Sequence, residues 1–314
     1  MFIYLFIVRN GYGAKLTNLF STKFEIETVD TIREIKYYQK WTKNMTICHP
    51  PIIEKNYKGE SYTRVTFQPE LKRFKMNSLK DGNTLELMHR RVYDLAGANA
   101  RSKLNVYLND KKISKDIKSF EDYVRLYLND ESDSPVFHKI VNKRWEIAVA
   151  LADGKEEQVS MVNSINTSEG GTHVNYIYNQ IIEAVIKKMK KINKAIEITP
   201  MYVKRHVFLF INCLINNPDF STQTKTKLRT KVEEYGSECI LSKDFLDQIV
   251  ESKIFDAIKD YAEFNNTKQH KKSDGKRGTI PAIAKYVHAN FAGKKQRREC
   301  TLILTEGKTH SLNQ

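Results

Sequence analysis

Cysteine is scarce in this sequence, and the four cysteines that occur are scattered. Cys48, Cys213, Cys239 and Cys300 form no CxxC pair, and no histidine stands beside them at the spacing of a zinc site. The sequence therefore suggests neither a disulfide framework nor a zinc-bound module. A reducing compartment, the cytosol or the nucleus, fits this composition best.

Acidic residues are also in the minority. The chain has 37 Asp and Glu against 52 Lys and Arg, which gives a formal net charge of +15 and an isoelectric point near 9.4. This surplus favours a polyanionic partner, with nucleic acid ahead of an anionic membrane surface.

No apolar run approaches the ~20 residues that a membrane span needs. The stretch MFIYLFIV at 1–8 is short, and it lacks the charged start of a secretory signal. It is typical of a buried strand. The alternative is that the true chain continues upstream and that these residues are a start-site artefact.

The apolar residues present, 40% of 314, are enough for two compact units. In the first unit, residues 22–71 alternate like the strands of an antiparallel sheet, and apolar spacing predicts a helix within 74–99. KLNVYLND at 103–110 is typical of a strand that ends in a turn. The acidic stretch at 129–135 is a candidate linker.

The second unit opens with two predicted strands, RWEIAVAL at 144–151 and VSMVNSI at 159–165. After the turn EGGTH, apolar residues at three- and four-residue intervals predict an amphipathic helix over 174–192. HVFLFINCLI at 206–215 is apolar enough for a central strand buried on both faces, and more helix is expected to about 264. The basic stretches 265–278 and 293–299 indicate exposed linkers or nuclear-import signals.

Taken singly, the motifs of this chain are weak. RNGYGAKL at 9–16 has two glycines between basic residues, as an anion-binding loop would, but a turn in which glycine supplies a positive φ explains that spacing better. The order of four segments is specific, however: RNGYGAKL, SMVNSINTSEGGTHVNYI, FINCLINNPDFSTQTKTKL and CTLILTEG. This ordered set resembles the eukaryotic, single-chain type II DNA topoisomerases.

The resemblance implies an α+β chain in which part of a GHKL (Bergerat) ATPase sandwich precedes a ribosomal S5 domain 2-like transducer domain. The divisions it implies are 1–110 for the ATPase part with its ATP lid, 111–265 for the transducer, 266–299 for a basic linker and 300–314 for the start of a Toprim domain. The family works in the nucleus as a homodimer on double-stranded DNA, with ATP and Mg²⁺ as cofactors. The glutamate base and the Mg²⁺-holding asparagine are expected upstream, so we expect this chain alone to be inactive.

The resemblance also carries residue roles, position by position. It implies contacts with the ATP phosphates for Arg9, Asn10, Gly11, Tyr12, Gly13, Ala14, Lys15, Gln223, Thr224 and Lys225. It implies DNA contacts for Lys190 and Lys191 and a Mg²⁺-binding role for Glu306. Gly170, Gly171, Thr172 and His173 are expected to be architectural, as a tight turn, a helix cap and a structural hydrogen bond. Val8 and Lys308 depart from the family, which has glycine and aspartate there.

Two other functions remain open from the sequence. A short protein that keeps the transducer fold would act as a non-catalytic DNA-binding or dimerisation module. A different GHKL relative, such as a chaperone or a gyrase-like subunit, is disfavoured by the Toprim-like strand CTLILTEG, which follows the transducer in the same chain.

Overall fold

The computed structural model describes residues 11–102, 104–128, 135–273, 289, 300 and 301. These residues form an α+β structure, as the sequence predicts. The elements of its first half are α1 (Tyr12–Leu19), β1 (Ser21–Asp30), β2 (Ile35–Thr42), β3 (Ile47–Cys48), β4 (Ile52–Lys55), β5 (Tyr62–Pro69), α2 (Thr84–Ala98), β6 (Tyr107–Leu108), β7 (Lys111–Lys112) and α3 (Phe120–Arg125). Those of its second half are β8 (Phe137–Asn142), β9 (Trp145–Leu151), β10 (Gln158–Val162), β11 (Ile165–Asn166), α4 (Thr172–Ile192), α5 (Pro200–His206), β12 (Val207–Cys213), α6 (Lys243–Val250) and α7 (Lys253–Ser273).

The first sheet is antiparallel throughout, which confirms the prediction for residues 22–71. Its strands run in the order β3-β2-β1-β5, and β4 also pairs with β2. Phe24 of β1 lies opposite Trp41 and Phe67, and its ring meets the Trp41 ring edge-on at 6.0 Å. Apolar residues of β4 and β5 stay exposed, among them Ile52 at 63% and Val65 at 52%.

Three elements of the chain begin or end elsewhere than predicted. The strand expected over 159–165 ends at Val162, because the chain turns through Asn163 and Ser164 at φ 50° and 64° into the separate strand β11. The helix expected within 74–99 starts only at Thr84, because the Asp81 carboxylate accepts hydrogen bonds from the amides of Asn77 and Ser78 and holds a turn there. The strand expected over 103–110 is limited to β6, which forms a hairpin with β7 through Asn109 and Asp110 at φ 47° and 65°.

The second sheet runs in the order β11-β10-β12-β9-β8. β10 and β12 are parallel, and the remaining pairs are antiparallel. β12 is central and covered on both faces, as its apolar composition predicts. Leu209 and Ile211 face one core, while Phe210 faces the other.

The larger core lies between this sheet and helices α4, α6 and α7. α4 contributes Ile177, Ile181 and Val185, all fully buried, so the predicted amphipathic face is the one that packs. α7 continues to Ser273, past the boundary predicted at 265, because no Gly or Pro interrupts it before Gly275. In the described residues, no helix is both long and apolar enough to cross a membrane.

The second core covers the opposite face of the same sheet. Ala96 of α2 and Val106 pack there together with Phe120, Tyr123 and Val124 of the α3 region. α2 thus shares a core with the second sheet, although it precedes the division predicted at residue 110.

A buried polar contact joins α2 to α3 in this core. The Tyr123 hydroxyl donates to Asp94 Oδ1 at 2.6 Å, and Arg91 lies 3.4 Å from Asp94 Oδ2. Burial raises the pKa of Tyr123, so this hydroxyl stays protonated and remains a donor.

Candidate functional site

The first candidate segment is the N-terminus of α1. Gly11 is the N-cap in the left-handed region at φ 65°, whereas Gly13 lies inside the first helical turn. The sequence predicts a loop that contains both glycines. In the structure the segment is instead the start of a helix, and only Gly11 of the two has a left-handed backbone. Tyr12, Ala14 and Lys15 are exposed beside them. Arg9 and Asn10 lie outside the described residues.

This helix start suits an anion. The first four amides of an α-helix have no partner within the helix, and here no side chain caps them and no acidic residue stands in the first turn. Among the described residues, a Cβ at either glycine would meet no atom within 4 Å, so these residues leave space for a ligand beside the turn. The residues present therefore fit a phosphate group at the helix N-terminus.

The second candidate segment is the loop after β12, whose tip carries Gln223, Thr224 and Lys225. Gln223 and Thr224 are exposed, and Lys225 is half-buried with a left-handed φ of 61°. The base of the loop is held by backbone hydrogen bonds: Ser221 N to Lys227 O at 3.0 Å and Arg229 N to Asp219 O at 2.8 Å. A polar tip on a fixed base is an arrangement that presents a cation and an amide to a ligand.

The turn before α4 anchors this loop. The Leu228 amide donates to Gly170 O at 3.0 Å, and the Glu169 amide donates to Thr226 O at 2.9 Å. Gly171 has φ 135°, and a Cβ there would lie 2.7 Å from Leu228 N and nearer still to Leu228 O. Only glycine allows the two backbones to approach so closely.

The expected helix cap at this turn is absent, because Thr172 bonds elsewhere. Its hydroxyl donates to Thr230 O at 2.7 Å and accepts from the Tyr235 hydroxyl at 2.8 Å. The N-cap is Gly171, and no side chain caps the helix. The threonine thus fastens the loop to α4.

His173 is architectural, as expected. It is fully buried, and its Nε2 lies 3.1 Å from Thr167 Oγ1. Burial lowers the pKa of the imidazole to about 3, so the ring is neutral at physiological pH.

The lysine cluster lies at the other end of α4. Lys190 and Lys191 are exposed in the last helical turn, where cations are favoured by the helix dipole. Lys188 is paired with Glu251 at 3.7 Å. α4 spans 21 residues, so the loop-anchoring turn and the lysines are about 30 Å apart on one rigid element.

Comparison with known proteins identifies the family. The family model described as DNA gyrase B matches residues 104–277, which is more than half of the 314 residues. The chain belongs to this family. The relatives and solved structures that it resembles are type II DNA topoisomerases, so the resemblance indicated by the motifs is confirmed.

The similar proteins are much longer than this chain. It is 46% identical over 316 residues to DNA topoisomerase 2 of Candida glabrata and 45% identical over 305 residues to that of Arabidopsis thaliana, with 95% of the chain covered in both cases. It spans only about a fifth of the length of these relatives, 22% and 20%.

The solved structures that it resembles cover the same region. The crystal structure of the ATPase region of Saccharomyces cerevisiae topoisomerase II matches 82% of the chain and 66% of that protein chain, at 44% identity and a TM-score of 0.75. The ATPase and transducer domains of DNA topoisomerase II from Balamuthia mandrillaris match 83% and 66%, at 39% identity and a TM-score of 0.77.

A metal site is not formed by the described residues of this gyrase B family member. They contain no group of three or more His, Cys, Asp or Glu side chains positioned to hold a metal ion. Glu306, the residue expected to bind Mg²⁺, lies outside the described residues.

Sequence reasoning missed one residue that holds the candidate loop. Arg144, just before β9, donates to Leu214 O at 2.9 Å, to Gly236 O at 3.0 Å and to Asn216 Oδ1 at 2.8 Å. These acceptors stand at the two ends of the segment that contains the loop, so one guanidinium clamps both. A charged residue directly before a fully buried strand is the signal that could have shown it.

Proposed function

We propose that this chain is part of an ATP-dependent type II DNA topoisomerase, which passes one DNA duplex through a transient break in another. Its own role is to bind the phosphates of ATP and to relay closure of the ATP-operated gate. The observation that carries this proposal is the likeness, at 44% identity and a TM-score of 0.75, to the ATPase region of Saccharomyces cerevisiae topoisomerase II.

Two segments would contact the phosphates. The helix start at Gly11–Lys15, with the preceding Arg9 and Asn10, supplies amides and a lysine charge, which suit an anion. The loop tip with Gln223, Thr224 and Lys225 supplies an amide, a hydroxyl and a second cation for the terminal phosphate. Since Thr172 and Gly171 fasten this loop to α4, a displacement of the loop on phosphate binding would be passed to the helix.

The remaining assignments follow from the family resemblance. We propose the division into ATPase part (1–110), transducer (111–265), basic linker (266–299) and Toprim start (300–314), with two additions: α2 packs on the sheet of the transducer, and α7 runs on to Ser273, into the first residues of the linker. We further propose that the intact enzyme is a nuclear homodimer that acts on double-stranded DNA. Mg²⁺ would be its metal, with Glu306 among the ligands.

A chimera tests the function directly. This chain replaces the homologous residues of Saccharomyces cerevisiae DNA topoisomerase 2, to which it is 44% identical. We expect the chimera to separate linked DNA circles only when ATP is present. A folded chimera that binds DNA without any response to ATP would instead support the non-catalytic DNA-binding module.

Lys225 is tested in the same chimera by the substitution Lys225→Ala. Loss of a charged hydrogen bond to the terminal phosphate is worth about 1.5–3 kcal/mol, so we expect the rate of ATP hydrolysis to fall roughly 10- to 100-fold. Lys227→Ala, which removes an exposed lysine of the same loop, is the matched control and should leave the rate within about twofold. Equal rates in the two variants would remove Lys225 from the site.

Lys190 and Lys191 are tested by the salt dependence of duplex DNA binding. Replacing both with Gln should reduce the slope of log K against log salt by about one to two units, since each lysine on a phosphate releases roughly one counterion. Lys111→Gln with Lys112→Gln removes an adjacent pair of exposed lysines on β7 and controls for net charge. A slope that changes equally in both pairs would show a general charge effect and no local contact.

A further inference from the structure

A cleft of about 360 Å³ lies where the end of α2 meets the second sheet. Arg101 and Ser102 line it from the segment after α2, and Lys143 and Arg144 line it from the turn between β8 and β9. Asn212 lines it from β12, and Ser164 lines it from the turn between β10 and β11. None of the residues proposed to contact ATP or DNA is part of this cleft.

Three cations converge on the cleft. Arg101, Lys143 and Arg144 all line it. Within the described part of the chain, none of these three side chains forms an ion pair, because the ion pairs found there involve other cations. Arg144 is held in place by its hydrogen bonds to Leu214 O and Asn216 Oδ1, so its charge is fixed at the wall of the cleft. Burial lowers the pKa of this guanidinium.

The negative groups nearby are already engaged. Glu146 also lines the cleft, but its carboxylate is 3% exposed and lies 2.9 Å from His138 Nε2. At the C-terminus of α2, the carbonyls of Leu95 and Ala98 accept hydrogen bonds from the side-chain amides of Asn99 and Asn212, each at 2.9 Å. Three cations against the one Glu146 carboxylate leave the cleft with a net positive charge.

One hydroxyl of the cleft is suited to act as a donor. Ser164 Oγ accepts from Asn99 Nδ2 at 3.0 Å, which leaves its own hydrogen available to a ligand. The Ser102 hydroxyl already donates to Asn99 O at 2.8 Å and is not counted as a donor to a ligand. Guanidinium, ammonium and hydroxyl groups together match the several oxygens of a phosphate better than the two of a carboxylate.

We propose that this cleft binds a small phosphate anion, such as inorganic phosphate or pyrophosphate, at a site separate from the one proposed for ATP. The volume is in the range of small-molecule sites, and a concave cleft admits a compact anion more readily than the convex backbone of a duplex. A bound anion would neutralise charges from α2's end and from the sheet at once. It would therefore hold α2 against the sheet.

The test uses pyrophosphate as probe on the 314-residue chain, at constant ionic strength set with sodium chloride. Calorimetric titration is compared between the unmodified chain, Arg101→Gln, Lys143→Gln and the double variant. Each cation removed should weaken binding about tenfold. Arg144 is left in place because it holds the loop segment. Lys139→Gln, an exposed lysine of β8 in the same hairpin, is the control and should not change the affinity.

A local readout distinguishes this site from the proposed ATP site. The rate of acetylation of Lys143, followed by mass spectrometry, should fall severalfold when pyrophosphate is saturating, while that of Lys139 stays constant. Titration with inorganic phosphate in place of pyrophosphate shows whether one phosphate group suffices or two are needed. Binding of pyrophosphate without protection of Lys143, or equal affinity in the double variant, would overturn the proposal. Loss of duplex DNA affinity in the double variant with pyrophosphate binding intact would overturn it too, and would make the cleft part of a DNA interface.

Discussion

Alanine at position 171 is expected to destabilise the chain by roughly 4 kcal/mol, because two penalties add. Gly171 has φ 135°, a conformation that other residues rarely adopt, and such strain costs on the order of 1–3 kcal/mol. The new Cβ would also meet the Leu228 backbone, 2.7 Å from its nitrogen, and overpacking costs a similar ~1–3 kcal/mol. Urea unfolding followed by tryptophan fluorescence measures the loss.

Gly154→Ala is the matched control for the strain alone. Gly154 also has a positive φ, 75°, but a Cβ there would meet no atom within 4 Å. We expect a loss of about 1 kcal/mol for this variant. Hydrogen exchange at the Leu228 amide, which donates to Gly170 O, should accelerate only in Gly171→Ala. Equal losses of stability in the two variants would contradict the role of Gly171 as the anchor of the loop.

Arg144→Ala is expected to lower the free energy of unfolding by about 3 kcal/mol, the second-largest effect. Hydrogen bonds from a charged donor are worth about 1.5–3 kcal/mol each. The sum over several bonds is reduced here because the side chain is only half-buried. It leaves the Leu214 and Gly236 carbonyls without their guanidinium donor. Arg144→Lys should recover only part of the loss, since an ammonium cannot reproduce the planar fork.

The neighbouring Lys143 supplies the control. It is exposed, and we expect Lys143→Ala to change the free energy of unfolding by no more than about 0.5 kcal/mol. Arg144→Ala should also raise hydrogen exchange throughout the segment between Asn216 and Tyr235, whose ends it ties together. Full stability of Arg144→Lys would show that charge alone, without the fork, holds the segment.

The elements that the sequence predicts well are those with strong local periodicity. α4 has apolar residues at three- and four-residue intervals, and β12 is apolar enough to be covered on both faces; both predictions are confirmed. The antiparallel first sheet followed from alternation and turn residues in the same way. In these cases the information lies within one segment of the chain.

The features that the sequence did not predict depend on partners far away along the chain. The loop at 223–225 was found by resemblance, but its attachment needs Gly171 and Arg144, which lie 57 and more residues from the Leu228 and Tyr235 backbones they meet. At α1, the two-glycine pattern is compatible with a loop or a helix start, and only the backbone shows that Gly13 is helical. Tertiary contacts decide between a loop and a helix start, and the local sequence does not show which of the two will form.

The packing of α2 decides where this chain can be cut without damage. A fragment starting at residue 111 would keep Phe120 and Tyr123 but discard their partners Ala96 and Val106, so its sheet would present a partly uncovered apolar face to water. A fragment starting just before Thr84 would keep α2 and Val106 on the second sheet. We expect this fragment, which is shorter than the whole chain, to refold on its own. The stretch from Glu70 to Asn83, which connects β5 to α2, is therefore the place to cut, and domain divisions based on motifs pass over it.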